Sequence, residues 1–75
     1  MATYELDLRG VACPMNFVKT RLFLDKLKQG EEVLVTLDGG EPVESVTSSV
    51  RADGHEVSEP APVSDGGFSV RIRKA

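Results

Sequence analysis

The stretch Leu6 to Asn16, LDLRGVACPMN, is where two hydrophobic periods meet. Leading into it, YELDLR alternates Tyr4, Leu6 and Leu8 against Glu5, Asp7 and Arg9, the period-two pattern of a strand with one buried face. Beyond it, from Pro14 to about Lys28, Phe17, Thr20, Phe23, Leu24 and Leu27 fall on one arc at roughly 100° per residue, so the chain turns helical. The junction holds the single cysteine of the chain, Cys13, immediately before Pro14.

Working outward, Gly30 ends the helical pattern, and EEVLVTL is a short, dense apolar run that reads as a second, more buried strand. DGGEP breaks that run. Pro42 then suits the first position of a second helix, with Val43, Val46 and Val50 pointing one way and Gly54 closing it. HEVSEPAPV carries two prolines that cannot donate ladder hydrogen bonds, which predicts an edge or irregular strand. SDGG makes a hairpin turn, and FSVRIR alternates Phe68, Val70 and Ile72 inward as the last strand. The order βαβαββ predicts an α+β two-layer sandwich: a four-stranded mixed sheet with two helices on one face, its first two strands parallel across a crossover. The other sheet face is expected to be polar and open to water.

Composition limits the function. Seventy-five residues without an internal repeat fit a single domain over 1–75, near the lower size for folding without staples. The absence of a long apolar run argues against a membrane span or a secretory segment, so a soluble cytoplasmic protein is expected. A lone thiol also suits a reducing compartment. The net charge of −3 is mixed along the chain, which argues against direct nucleic-acid binding; the basic end RIRKA reads as solvated strand-end residues.

If the helix starts at Pro14, Cys13 is its N-cap, a position where Ser, Asp or Asn would satisfy an orphan amide better, by roughly 0.5–2 kcal/mol. In exchange, unpaired amides and the positive end of the helix dipole stabilise an anion and lower a thiol's pKa. Pro14 would start the helix rigidly, and Arg9 at the end of the first strand is a candidate second source of positive potential. The competing reading of Cys13 is a small buried hydrophobe. His55 is the sole histidine and reads as a strand-end residue rather than a base for Cys13. One Cys and one His cannot make a metal site within one chain, and a C-x-x-C redox pair is excluded. What remains is a reactive thiol without base, oxyanion site or cofactor motif, suited to taking and handing on a group by exchange at sulfur. On the helix, Met15, Val18 and Leu22 lie away from the core arc, flanked by Lys19 and Lys26, with Arg21 and Asp25 beyond Val18. Because the inward positions are already filled, this strip is a candidate partner-docking face beside the thiol.

LDLRGVACP followed by a helix, GEEVLVTLD after Gly30, and GHEV before the third strand resemble the TusA-like (SirA-like) sulfur-carrier proteins over almost the whole chain. The resemblance implies a βαβαββ sandwich similar to the C-terminal domain of translation initiation factor three. It also implies persulfide relay, in which Cys13 accepts sulfane sulfur from a cysteine desulfurase or rhodanese-type donor and passes it to an acceptor protein, without a bound cofactor. Family members serve tRNA thiolation, molybdenum-cofactor-related sulfur traffic or sulfur oxidation. The family motif is C-P-x-P; here Asn16 replaces the second proline. An adaptor module with a structural Cys13, or a redox sensor oxidised at Cys13, are the alternatives from other functional classes.

Overall fold

The computed structural model describes residues 3–12, 14–64 and 66–75. Cys13 and the hairpin residue Asp65 lie outside the described residues. The elements are β1 (Thr3–Asp7), α1 (Met15–Asp25), β2 (Glu32–Leu37), α2 (Glu41–Ala52), β3 (Glu56–Val57), β4 (Ala61–Pro62) and β5 (Phe68–Arg73). The sheet runs β1-β2-β5-β3, with β4 also paired to β5. β1 is parallel to β2, with Leu6 opposite Val35, and β5 is antiparallel to β2, with Val33 opposite Ile72 and Val35 opposite Val70.

Alternating burial along β2 and β5 sets the two sheet faces, as read from the sequence for β5 and not for β2, which reads there as a dense apolar run. Val33, Val35 and Leu37 of β2 and Val70 and Ile72 of β5 are fully buried, packed with Leu24 and Leu27 from the α1 side and Val43, Val46 and Val50 of α2. Burying each such side chain contributes about 1.5–3 kcal/mol against the entropy of ordering the chain. The remaining residues of the same strands, Glu32, Leu34, Thr36, Ser69, Arg71 and Arg73, alternate onto the other face. Ion pairs join Arg71 to Glu32 at 3.9 Å and Arg73 to Glu56 at 3.3 Å there. This is the expected two-layer arrangement of two helices on one face of a mixed sheet.

Four differences from the sequence reading have local physical causes. The third strand is split into β3 and β4, both on β5, so the sheet has five strands rather than four. Ser58 to Pro60 interrupt the pairing, and the Ser58 hydroxyl accepts the Arg71 N–H at 2.8 Å, satisfying a donor that the break would leave unpaired. Helix α1 ends at Asp25 instead of Lys28, because the Lys26 and Leu27 amides donate three residues back, to Phe23 and Leu24, and tighten the last turn. Pro42 is the second residue of α2, not the first, and Gly54, at φ +96°, closes that helix as expected. Tyr4 is 39% exposed, because β1 lies at the sheet edge; its ring meets Phe23 edge-on at 5.8 Å.

Candidate functional site

Parallel pairing places the C-terminal ends of β1 and β2 at one edge of the sheet, together with the start of β5. Three connections therefore gather there: residues 8–14, residues 38–40 and the turn from Val63 to Gly67. This edge, outside the carboxyl ends of parallel strands, is where α/β folds hold their ligands and reactive groups. Cys13 belongs to the first connection.

Backbone and side-chain bonds fix that connection on both sides. The Leu8 N–H extends the sheet to Thr36 O at 2.8 Å, and the Val11 N–H turns back to Leu8 O at 3.1 Å. The Gly10 N–H donates to the Asp38 carboxylate at 2.8 Å, tying the first connection to the second. Gly67, at φ +93°, passes so close that a Cβ there would lie 2.5 Å from the Leu37 carbonyl oxygen and 3.5 Å from Arg9 Cδ. Only glycine fits this approach without displacing backbone.

Arg9 stands beyond the end of β1, as expected, but its charge is answered locally. Its guanidinium donates to both carboxylate oxygens of Asp7, at 3.0 and 2.8 Å, and its backbone N–H adds a third bond at 3.1 Å. The Arg9 side-chain bonds are the main cause that lowers the Asp7 pKa to about 2. The pair is neutral as a unit, which reduces the positive field that Arg9 projects on the neighbouring loop.

The helix start differs from the expectation in two ways. Pro14, not Cys13, is the N-cap of α1, with φ −93° and ψ 6°. The first-turn amides are also largely consumed. Pro14 has none, the Asn16 N–H donates to Ala12 O at 3.1 Å, and the Phe17 N–H donates to the Asn16 side-chain oxygen at 2.7 Å. Among the described residues no acceptor is found for the Met15 N–H. The expected ring of free amides is thus narrower than the sequence implied, although the dipole of α1 is still directed at this loop.

Asn16 is the residue that sequence reasoning missed. It is 0% exposed, as is Thr20 one turn later, and the Thr20 hydroxyl donates to Asn16 O at 2.8 Å. A polar residue in a first turn reads as surface. The available signal was its spacing, four residues before Thr20 and eight before Leu24, which puts it on the inward arc.

The outer strip of α1 is where the sequence placed it. Met15, Val18 and Leu22 are 49%, 37% and 58% exposed, and Lys19 and Lys26 are exposed beside them. From Met15 to Lys28 the side chains Lys19, Arg21, Lys26 and Lys28 against Asp25 give a charge of +3, whereas the whole chain carries −3. Basic charge is therefore concentrated along α1 and the turn that follows it, on an otherwise acidic protein.

Other chemistry is distant or lacking among the described residues. His55 follows Gly54 near the sheet end opposite the Cys13 loop, its Nδ1 accepting the Ala75 N–H at 3.0 Å. It is not placed to act as a base for Cys13. No cluster of three metal-ligating side chains occurs among the described residues, and none of their helices is long and apolar enough to cross a membrane.

Comparison with known proteins agrees with this geometry. A relative from Archaeoglobus fulgidus named "Putative sulfur carrier protein" is 39% identical over 73 residues, 97% of this chain and 83% of its own length. A relative of the same name from Thermotoga maritima is 34% identical over 77 residues, covering 97% and 98% of the two chains. The crystal structure of a SirA-like protein from Desulfitobacterium hafniense superposes with a TM-score of 0.81 over 93% of this chain and 95% of that one, at 21% identity, and so shares the fold. The family model for sulfurtransferase TusA matches residues 4–74, and with relatives this similar the chain belongs to the TusA family.

Proposed function

We propose that the protein carries sulfane sulfur as a persulfide on Cys13, between a protein donor and a protein acceptor. In the loading step the Cys13 thiolate attacks the outer sulfur of a donor cysteine persulfide; the donor S–S bond breaks and the donor cysteine leaves as a thiolate. In the unloading step an acceptor thiolate attacks the terminal sulfur on Cys13, and Cys13 leaves as a thiolate. Each exchange makes one S–S bond and breaks one, so neither needs an external oxidant or a bound cofactor.

The observation that carries this reading is the position of the lone cysteine. It falls in the connection between β1 and the N-terminus of α1, in a chain of the TusA family, with no other nucleophilic machinery nearby among the described residues. The reading gives Pro14 the task of starting the helix and the Arg9–Asp7 pair that of fastening the loop. It gives Met15, Val18, Lys19, Leu22 and Lys26 the docking of donor and acceptor. Because these cations flank an apolar strip, the donor and acceptor surfaces are expected to be apolar with an acidic rim. A cysteine desulfurase or rhodanese-type donor fits the chemistry, with tRNA thiolation as one route for the sulfur; the protein itself makes no direct nucleic-acid contact. The cytoplasm, being reducing, fits a relay of this kind.

The test is intact mass after incubation with a cysteine desulfurase and cysteine, or with thiosulfate and a rhodanese. The wild type gains one sulfur atom, which reduction removes; Cys13→Ser gains none. Wild-type protein that stays at its original mass with both donors contradicts the reading and favours an adaptor.

A further inference from the structure

The two edges of the sheet are built differently. One edge is shared by β3 and β4, where Pro60 and Pro62 have no amide to donate and residues 58–60 interrupt the pairing. Prolines and breaks of this kind keep a further strand from adding. The other edge is β1, whose five residues, TYELD, include no proline, glycine or lysine and run in unbroken register with β2. The Leu8 N–H, one residue beyond β1, reaches Thr36 O at 2.8 Å. Alternate residues of a strand address the same neighbour, so Tyr4 and Leu6 also turn to β2. Thr3, Glu5 and Asp7 therefore direct their backbone N–H and C=O groups away from the sheet.

The side chains divide as the register requires. Tyr4 and Leu6 stand opposite Val33 and Val35, on the helix side, where the Phe23 ring meets Tyr4 at 5.8 Å. Tyr4 is exposed, and Leu6 and Phe23 are only half-buried. Thr3, Glu5 and Asp7 are exposed on the open side, opposite Glu32, Leu34 and Thr36. Asp7 is held by Arg9, whereas Glu5 has no ion pair among the described residues. The edge thus combines unpaired backbone groups, an incompletely covered apolar row and a negative row.

Charge decides the occupant. A second copy of this chain laid antiparallel along the full length of β1 would set the two Glu5 side chains opposite each other, and like charges so placed are destabilising. A segment with Lys or Arg on the open side answers Glu5 instead, and apolar residues at its alternate positions cover Tyr4, Leu6 and the Phe23 ring. We propose that β1 is the docking edge for an extended basic segment of a partner protein, in which Lys or Arg alternates with apolar residues, added to the sheet as a further strand. Docking here uses different residues from the outer strip of α1, calls for a basic surface rather than an acidic one, and is independent of the sulfur chemistry at Cys13.

The experiment titrates the capped peptide KVKIKVK into the reduced chain, with binding followed by NMR and amide hydrogen exchange. Saturation is expected to slow exchange of the Glu5 and Asp7 amides roughly tenfold. Glu5→Pro removes one N–H on the side away from β2 and should weaken binding about tenfold. Glu5→Lys keeps the backbone, should weaken KVKIKVK roughly fivefold, and should gain binding to EVEIEVE. If Glu5→Pro does not fold, Glu5→Lys decides alone; a folded Glu5→Lys with wild-type affinity for both peptides overturns the proposal. No binding up to about 1 mM peptide, or binding that leaves the Glu5 and Asp7 amides unchanged, also overturns it. Protection of the same amides that grows with protein concentration in the absence of peptide overturns it in favour of a second copy.

Discussion

The two helices pack on the same sheet face and follow opposite rules. Helix α2 buries Val43, Val46 and Val50, carries Glu41 and Glu44 in its first turn and Arg51 in its last, and so complements its own dipole. Helix α1 buries Asn16 and Thr20 and exposes Met15, Val18 and Leu22, with no acidic side chain at its start and no basic one in its last turn. Its C-terminal carbonyl at Leu24 is served instead by the Lys74 ammonium, 2.9 Å away and from the far end of the chain. Departures from local rules concentrate at functional sites; α2 also buries a threonine, Thr47, bonded back to Val43 O, but the exposed apolar strip and the uncomplemented dipole lie on the helix that follows the lone cysteine. Helix α2 holds the fold, while α1 both holds the fold and carries the exposed apolar strip that the proposed function assigns to docking.

That division is breakable by substitution. The largest effect is expected inside α1, where Leu24→Ala should cost about 2–5 kcal/mol in urea unfolding, with an unchanged denaturant slope. A small loss there would mean that α1 contributes less to the core than its burial implies. Two residues earlier, Leu22→Glu should change stability by no more than about 0.5 kcal/mol yet slow sulfur exchange with a cognate donor roughly tenfold. Ser48→Glu, on the exposed side of α2, should leave the exchange rate unchanged. Equal rates for all three proteins would remove the docking strip. Raising ionic strength should slow exchange by screening Lys19, Arg21 and Lys26 from an acidic partner.

The contrast between the helices was partly legible in the sequence. Alternation defined β1 and β5, a short dense apolar run defined β2, the valine spacing defined the inner face of α2, and the outer strip of α1 followed by elimination once Phe17, Phe23, Leu24 and Leu27 filled the inner arc. Asn16 was legible only through its spacing to Thr20 and Leu24, a signal that its polarity and its first-turn position outweighed. The early end of α1 was hidden for a different reason. Nothing between Lys26 and Lys28 signals that Lys74, at the end of β5, will serve the Leu24 carbonyl. Split pairing at β3 and β4 was foreshadowed by Pro60 and Pro62, but the Ser58 hydroxyl bond that bridges the break depends on β5 lying beside it.

The smallest expected effect concerns the Arg9–Asp7 pair beside the loop. The folded Asp7 pKa is depressed to about 2 from 3.8, so its contribution to stability is fully present above about pH 4 and is lost as the pH falls through about 2. An NMR titration of the Asp7 carboxyl should show that low midpoint in the wild type and a return toward 3.8 in Arg9→Ala. An unchanged midpoint in the variant would show that Arg9 does not hold Asp7.

The central claim of the proposed function is that Cys13, in the connection between β1 and α1, is the chain's sulfur-bearing group. Its most direct test is fragment-level mass spectrometry after a single round of loading from a cysteine desulfurase with cysteine as the sulfur source. The account predicts one added sulfur atom per chain, confined to the fragment containing Cys13 and absent from Cys13→Ser. Wild-type protein without added sulfur, or Cys13→Ser loaded to the same extent, would contradict it.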